Sequence, residues 1–105
     1  MTYCIINCTT SNKEDAVNIA KHLTENKLIA CCNIVEGITS IYNWDGKLNQ
    51  DNEFLMIMKT KTQLYAKIEE EIQKLHKYDV PEIICIPIIA GSKDYLNWIE
   101  EQTEG

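Results

Sequence analysis

Not one arginine occurs in this 105-residue chain, and its ten basic residues, all lysines, face sixteen acidic ones for a net charge of −6. Without a guanidinium fork there is no bidentate grip on phosphate or carboxylate. An acidic chain also gains no counterion-release drive toward DNA or RNA, so no nucleic-acid partner is expected. Prolines number two and glycines four, and no linker, repeat or low-complexity tract divides the chain. It reads as one domain over residues 1–105. No run of 18 apolar residues is present to span a membrane as a helix. The opening stretch, Met1-Thr2-Tyr3-Cys4-Ile5-Ile6-Asn7, lacks the basic start and apolar core of a secretory signal and reads directly as a strand.

Catalytic patterns are missing as well. There is no G-x-S-x-G, no glycine-rich phosphate loop and no local Ser-His-Asp or Cys-His arrangement, so an enzyme is not expected. The five cysteines (Cys4, Cys8, Cys31, Cys32 and Cys85) form an odd set without a C-x-x-C pair, unlike a disulfide framework. Their apolar neighbours suit free thiols acting as small hydrophobes in a reducing, cytoplasmic location.

What is present is a regular alternation of strand and helix signals. Residues 3–9 branch and alternate like a strand. Ser11-Asn12-Lys13-Glu14 matches a capping box with Ser11 as N-cap. The helix it opens carries Ala16, Ile19, Ala20 and Leu23 on one stripe and ends near Asn26-Lys27. A long strand over residues 29–44 follows, with a bulge expected at Glu36-Gly37. Asp45-Gly46 signals a type I′ hairpin, and the return strand is expected from Asp51 or Glu53 to Lys59. Thr62 is placed to cap a second helix with the stripe Leu64, Ile68, Ile72 and Leu75. After a loop over residues 76–82 come a strand over 83–90, a turn at Gly91-Ser92 and a final helix with Tyr95, Leu96, Trp98 and Ile99. This is an α+β chain in the split β-α-β-β-α-β order of ferredoxin-like domains, with an antiparallel sheet, both helices on one face and a last helix appended.

The strands are apolar on both faces. Phe54-Leu55-Met56-Ile57-Met58 and Ile83-Ile84-Cys85-Ile86-Pro87-Ile88-Ile89 have no polar position, where a sheet with one solvated face would alternate. Odd and even residues point opposite ways, so the face away from the helices is also greasy and calls for a partner. The last helix is the alternative cover, but about ten residues are short against four strands. Self-association is the preferred reading.

Candidate chemistry centres on His76 with Tyr78, Asp79 and Glu82 close behind it. Imidazole and carboxylate begin a transition-metal site, and a thiolate from Cys8 at the end of the first strand would add a soft donor for copper or zinc. The bland reading, that His76 ends the second helix, is favoured by the residues alone. Cys31 and Cys32, as strand neighbours, point to opposite faces and do not share an ion. Tyr42 and Trp44 share a face at the far end of the hairpin, where an aromatic pair suits a neighbouring subunit or a ligand cleft.

The run Ala30-Cys31-Cys32-Asn33-Ile34-Val35-Glu36-Gly37-Ile38-Thr39-Ser40-Ile41-Tyr42-Asn43-Trp44-Asp45-Gly46-Lys47 closely resembles the CutA divalent-cation-tolerance family. His76-Lys77-Tyr78-Asp79-Val80-Pro81-Glu82 looks like that family's H-P-Y-E-x-P-E segment, and Lys59-Thr60 and Asp94-Tyr95-Leu96-Asn97-Trp98 also match. The resemblance implies a ferredoxin-like subunit in a PII-like homotrimer linked to divalent-metal tolerance, with copper binding in some members. It maps the proposed ligands onto Cys8 and His76, while Leu75 takes the place of a first histidine and Lys77 that of the usual proline. The resulting expectation is a non-enzymatic trimer that binds a divalent cation weakly near a subunit boundary. The alternatives are a PII-like sensor with Tyr42, Trp44, Tyr78 and Glu82 lining a small-molecule cleft, and a scaffolding trimer. No organic cofactor is expected.

Overall fold

A computed structural model describes residues 2–105. Strand β1 (Tyr3–Thr10) leads into helix α1 (Lys13–Glu25), then to the long strands β2 (Cys31–Trp44) and β3 (Lys47–Lys61). A 3₁₀ turn (Thr62–Leu64) precedes helix α2 (Tyr65–Leu75), followed by the short strand β4 (Ile84–Pro87) and helix α3 (Lys93–Gln102). The four strands form one antiparallel sheet in the order β2-β3-β1-β4, the ferredoxin-like arrangement expected from the element order.

Register decides which side chains meet. Cys8 lies opposite Met56, Ile6 opposite Met58 and Cys4 opposite Thr60. These side chains project to the helical side, where they are buried with Ala16, Ile19 and Leu23 of α1 and Ile68 and Ile72 of α2. Leu75 is exposed instead of closing that stripe, because α2 stops there and His76 takes an extended backbone (φ −77°, ψ 143°). The α1 cap sits one residue later than expected. Asn12 Oδ1 accepts the Asp15 amide at 2.8 Å and Asn12 Nδ2 donates to Asp15 Oδ2 at 3.0 Å, so the cap joins Asn12 to Asp15, not Ser11 to Glu14, through the side-chain amide instead of a backbone N–H. Thr62 does not cap α2; its hydroxyl donates to the Thr2 carbonyl at 3.2 Å.

The hairpin is more regular than anticipated. Asp45 (φ 54°) and Gly46 (φ 75°) supply the two positive φ values of a type I′ turn, so pairing resumes at once with Lys47 opposite Trp44. Strand β3 therefore starts at Lys47 and not at Asp51 or Glu53. Gly37, also at φ 75°, takes up the register slip between Val35 and Ile38. Beyond the bulge, residues 38–44 and 47–53 pair only with each other, since β1 ends with Thr10 opposite Phe54. The result is a two-stranded arm, and the chain including it measures 44 × 26 × 22 Å.

Strand β4 covers four residues instead of the eight expected over 83–90. Its partners are Cys4, Ile5, Ile6 and Asn7, and Pro87 has no N–H to extend the ladder. The second sheet face carries Tyr3, Ile5, Leu55, Ile57, Val35, Ile84 and Ile86 by register. Helix α3 covers one end of it. Tyr95 Oη lies 3.6 Å from Cys31 Sγ, and Lys61, wholly buried, donates to Glu100 at 2.9 Å while Tyr3 Oη donates to the same carboxylate at 3.3 Å. The helix thus covers only part of this face: Val35, Ile84 and Ile86 stay exposed.

Candidate functional site

The loop after α2 is stitched down by the ring of His76. The Tyr78 backbone N–H can only donate, so His76 Nδ1 accepts it, at 3.0 Å. The Thr9 carbonyl can only accept, so Nε2–H donates to it, at 2.7 Å. Both ring nitrogens are therefore occupied, which requires the Nε2–H tautomer. Lys77 adds an ion pair to Asp15 of α1 at 3.2 Å, tying the loop to the first helix.

Held this way, the loop forms one wall of a cleft of about 500 Å³, and the hairpin arm forms the other. Tyr42 and Trp44 come from β2, Glu53 from β3 and Thr9 from β1, while the loop contributes Tyr78, Asp79, Val80, Pro81 and Glu82. Two hydrogen bonds and a ring contact set the walls. Tyr78 Oη donates to Glu53 Oε2 at 2.8 Å, Tyr42 Oη donates to Asp51, and the His76 and Tyr78 rings stack at a tilt with centroids 4.8 Å apart. Glu53 is 8% exposed, so its carboxylate depends on the Tyr78 phenol. Burial, and then the bond to Glu53, pushes that phenol up to about 12. The Tyr42 phenol is also raised, first by its bond to Asp51.

The sequence-level candidates separate here. Tyr42, Trp44, Tyr78 and Glu82 come together in the cleft. His76 lies behind the wall, and Cys8 projects into the core with no solvent exposure. Burial foremost, with the nearby Glu82 charge next, pushes the Cys8 thiol up to about 12, which opposes a free thiolate. Among the described residues, no group of three or more His, Cys, Asp or Glu side chains is gathered to hold a metal ion. Two site residues were missed from the sequence. Glu53 reads from sequence only as a strand start, and the acid directly before the apolar run Phe54-Leu55-Met56-Ile57-Met58 is the available signal. Thr9 contributes a backbone carbonyl, which no side-chain pattern reveals.

The family model described as CutA1 divalent ion tolerance protein matches residues 4–102. The chain belongs to this family. The divalent-cation tolerance protein CutA of Thermus thermophilus is 44% identical over 99 residues, 94% of this chain and 96% of that protein. A solved structure of the Cut A1 protein from the same organism gives a TM-score of 0.95 at 43% identity, covering 97% of this chain and 99% of that one. The chloroplastic CutA of Arabidopsis thaliana is 41% identical over 94% of this chain, which spans only 54% of that longer protein. A solved structure of the periplasmic divalent cation tolerance protein CutA from Archaeoglobus fulgidus gives a TM-score of 0.94 at 41% identity, covering 97% of this chain and 99% of that one. CutA relatives are thus named for different compartments. Among the described residues, no helix is long and apolar enough to cross a membrane.

Proposed function

We propose that this CutA-family chain is the subunit of a non-enzymatic, cytoplasmic homotrimer of divalent-ion tolerance that takes up a cation weakly in the cleft, at a subunit boundary. The composition of the cleft carries this conclusion. Glu53, Asp79 and Glu82 bring carboxylates, Tyr42, Trp44 and Tyr78 bring aromatic faces, and no lysine lines the space. Carboxylate oxygens suit divalent cations, and aromatic faces attract positive charge through their quadrupole. The soft pair Cys8 and His76 would serve copper only after the His76 ring leaves Thr9 and Tyr78. We assign His76 the task of positioning the acidic loop.

Assembly is supported by the uncovered apolar residues. Val35, Ile84 and Ile86 are exposed on the second sheet face, and Ile41 and Leu48 on the arm. An isolated two-stranded ribbon is marginal in water, so the arm gains from a neighbouring subunit. Such a neighbour would border the cleft, since Tyr42 and Trp44 are on the arm.

Equilibrium dialysis against cupric and zinc ions tests the cation site. Wild type should retain metal, Glu82→Gln and Glu53→Gln should retain several-fold less, and Cys8→Ala should behave as wild type. Equal retention in both carboxylate variants would remove the cleft from the account. A second reading, a PII-like small-molecule sensor, is favoured by the cleft's volume, which falls in the range of organic-ligand pockets. A ligand-dependent change in Trp44 fluorescence in a Trp98→Phe background, without metal present, would favour it.

A further inference from the structure

The cleft holds negative charge that the chain does not neutralise. Glu53, more than nine-tenths buried, lines it together with Asp79 and Glu82. None of the ion pairs among the described residues includes any of these three carboxylates. A buried carboxylate without a counter-cation is costly. The Tyr78 phenol offsets part of that cost through its bond to Glu53, and a positively charged ligand would offset more.

The rest of the lining decides which kind of cation fits. Tyr78 Oη donates to Glu53 and Tyr42 Oη donates to Asp51, so both phenol protons are committed to carboxylates and each ring is left electron-rich. Trp44 adds a third aromatic side chain, and Val80 and Pro81 add apolar surface. Aromatic rings attract a cation through their faces. The cleft's volume of about 500 Å³ lies in the organic-ligand range. Among the described residues, no three His, Cys, Asp or Glu side chains close around a bare ion. A methylated ammonium suits such walls. Its charge is spread over methyl groups that pack on rings, and it has no N–H left to satisfy.

We propose that the cleft binds small molecules carrying a quaternary, methylated ammonium head, seated against Tyr42, Trp44 and Tyr78 with Glu53 and Glu82 as its counter-charges. The proposal rests on the reading of the cleft as a cation site and adds an organic ligand class to it.

Fluorescence titration of the full chain carrying Trp98→Phe, which leaves Trp44 as the reporter, tests this in metal-free buffer at constant ionic strength. Tetramethylammonium should give a saturable change, its neutral counterpart tert-butanol none, and methylammonium a midpoint about tenfold higher. Calorimetry on the unsubstituted chain should return the same affinities. Tyr42→Leu, on the exposed arm, should raise the tetramethylammonium midpoint about tenfold, and Glu82→Gln should raise it several-fold. Zinc dialysis of Tyr42→Leu should match wild type, because the Tyr42 oxygen is committed to Asp51 and its ring supplies no metal ligand. Zinc retention without a saturable tetramethylammonium response would overturn this proposal and leave the divalent reading standing. The reverse result would uphold the organic ligand and remove the divalent one. An equal response to tert-butanol, methylammonium binding as tight as tetramethylammonium, or an unmoved midpoint in Tyr42→Leu would also overturn the proposal.

Discussion

Replacing Tyr78 by Phe removes one oxygen from the cleft wall and leaves the ring in place. That oxygen donates to Glu53 Oε2 across 2.8 Å, and a hydrogen bond to a charged group contributes about 1.5–3 kcal/mol. The phenol is raised from 10.0 to about 12, chiefly by burial and then by Glu53, which sets the pH range over which the bond persists. Tyr78 is 37% exposed, so solvent screening lowers that figure, and a loss of about 1–2 kcal/mol is expected. The pH dependence has a definite sign. The fold favours the protonated phenol, so its contribution is complete below about pH 10 and fades as pH rises through about 12. Denaturant unfolding should therefore separate wild type from Tyr78→Phe at about pH 8 and bring them together near pH 12. Equal stability at the lower pH, or a gap that persists unchanged to the higher one, would refute the role given to this bond.

Glu71 makes the opposite pH prediction. Its carboxyl is held down at about 2, first by the His22 bond at 2.8 Å and then by Lys74 at 3.1 Å. Its contribution is present above the ordinary carboxylate range and is lost as pH falls from about 4.3 toward 2. Glu71→Gln should flatten that acid limb in thermal melts, and an unaltered limb would contradict the assignment. Met58→Ala, at a site with no exposure, should cost about 2–5 kcal/mol in denaturant unfolding. A cost below about 1 kcal/mol would show that the core beneath α1 and α2 collapses to fill the cavity. Ile86→Glu places a charge on the uncovered part of the second sheet face. Light scattering should then show monomers with unchanged circular dichroism, whereas intact trimers would argue that this face is not the interface.

Local chemistry made most of the fold legible. The Asp45-Gly46 turn and the Gly37 bulge follow from conformations that few residues adopt, and both were anticipated at the observed positions. The period-3.6 stripes placed α1 and α2 because Ile19, Leu23, Ile68 and Ile72 reach one core. Strand ends were less legible because they depend on partners. β4 pairs only with Cys4–Asn7 although β1 runs on to Thr10, and β3 begins early because a tight turn lets polar residues 47–52 pair on the arm. How α3 seats on part of the second face was not legible for a similar reason. Lys61 and Glu100 are 39 residues apart, and their ion pair cannot be read from either neighbourhood.

The aromatic half of the site was visible because Tyr42, Trp44 and Tyr78 sit at turn-proximal positions of recognisable segments. The role of His76 was not. Its two bonds run to a backbone carbonyl and a backbone amide, which leave no trace in side-chain types. Through these bonds the ring anchors the start of the loop that carries Asp79 and Glu82.

The most direct test of the cation cleft is a crystal structure of cupric-soaked protein with anomalous scattering at the copper edge. The account predicts a peak inside the cleft, coordinated by Glu53 or Glu82, with the His76 ring still bonded to Thr9 and Tyr78. Copper found on Cys8 and His76 with the loop displaced, or an unoccupied cleft beside copper bound elsewhere, would contradict it.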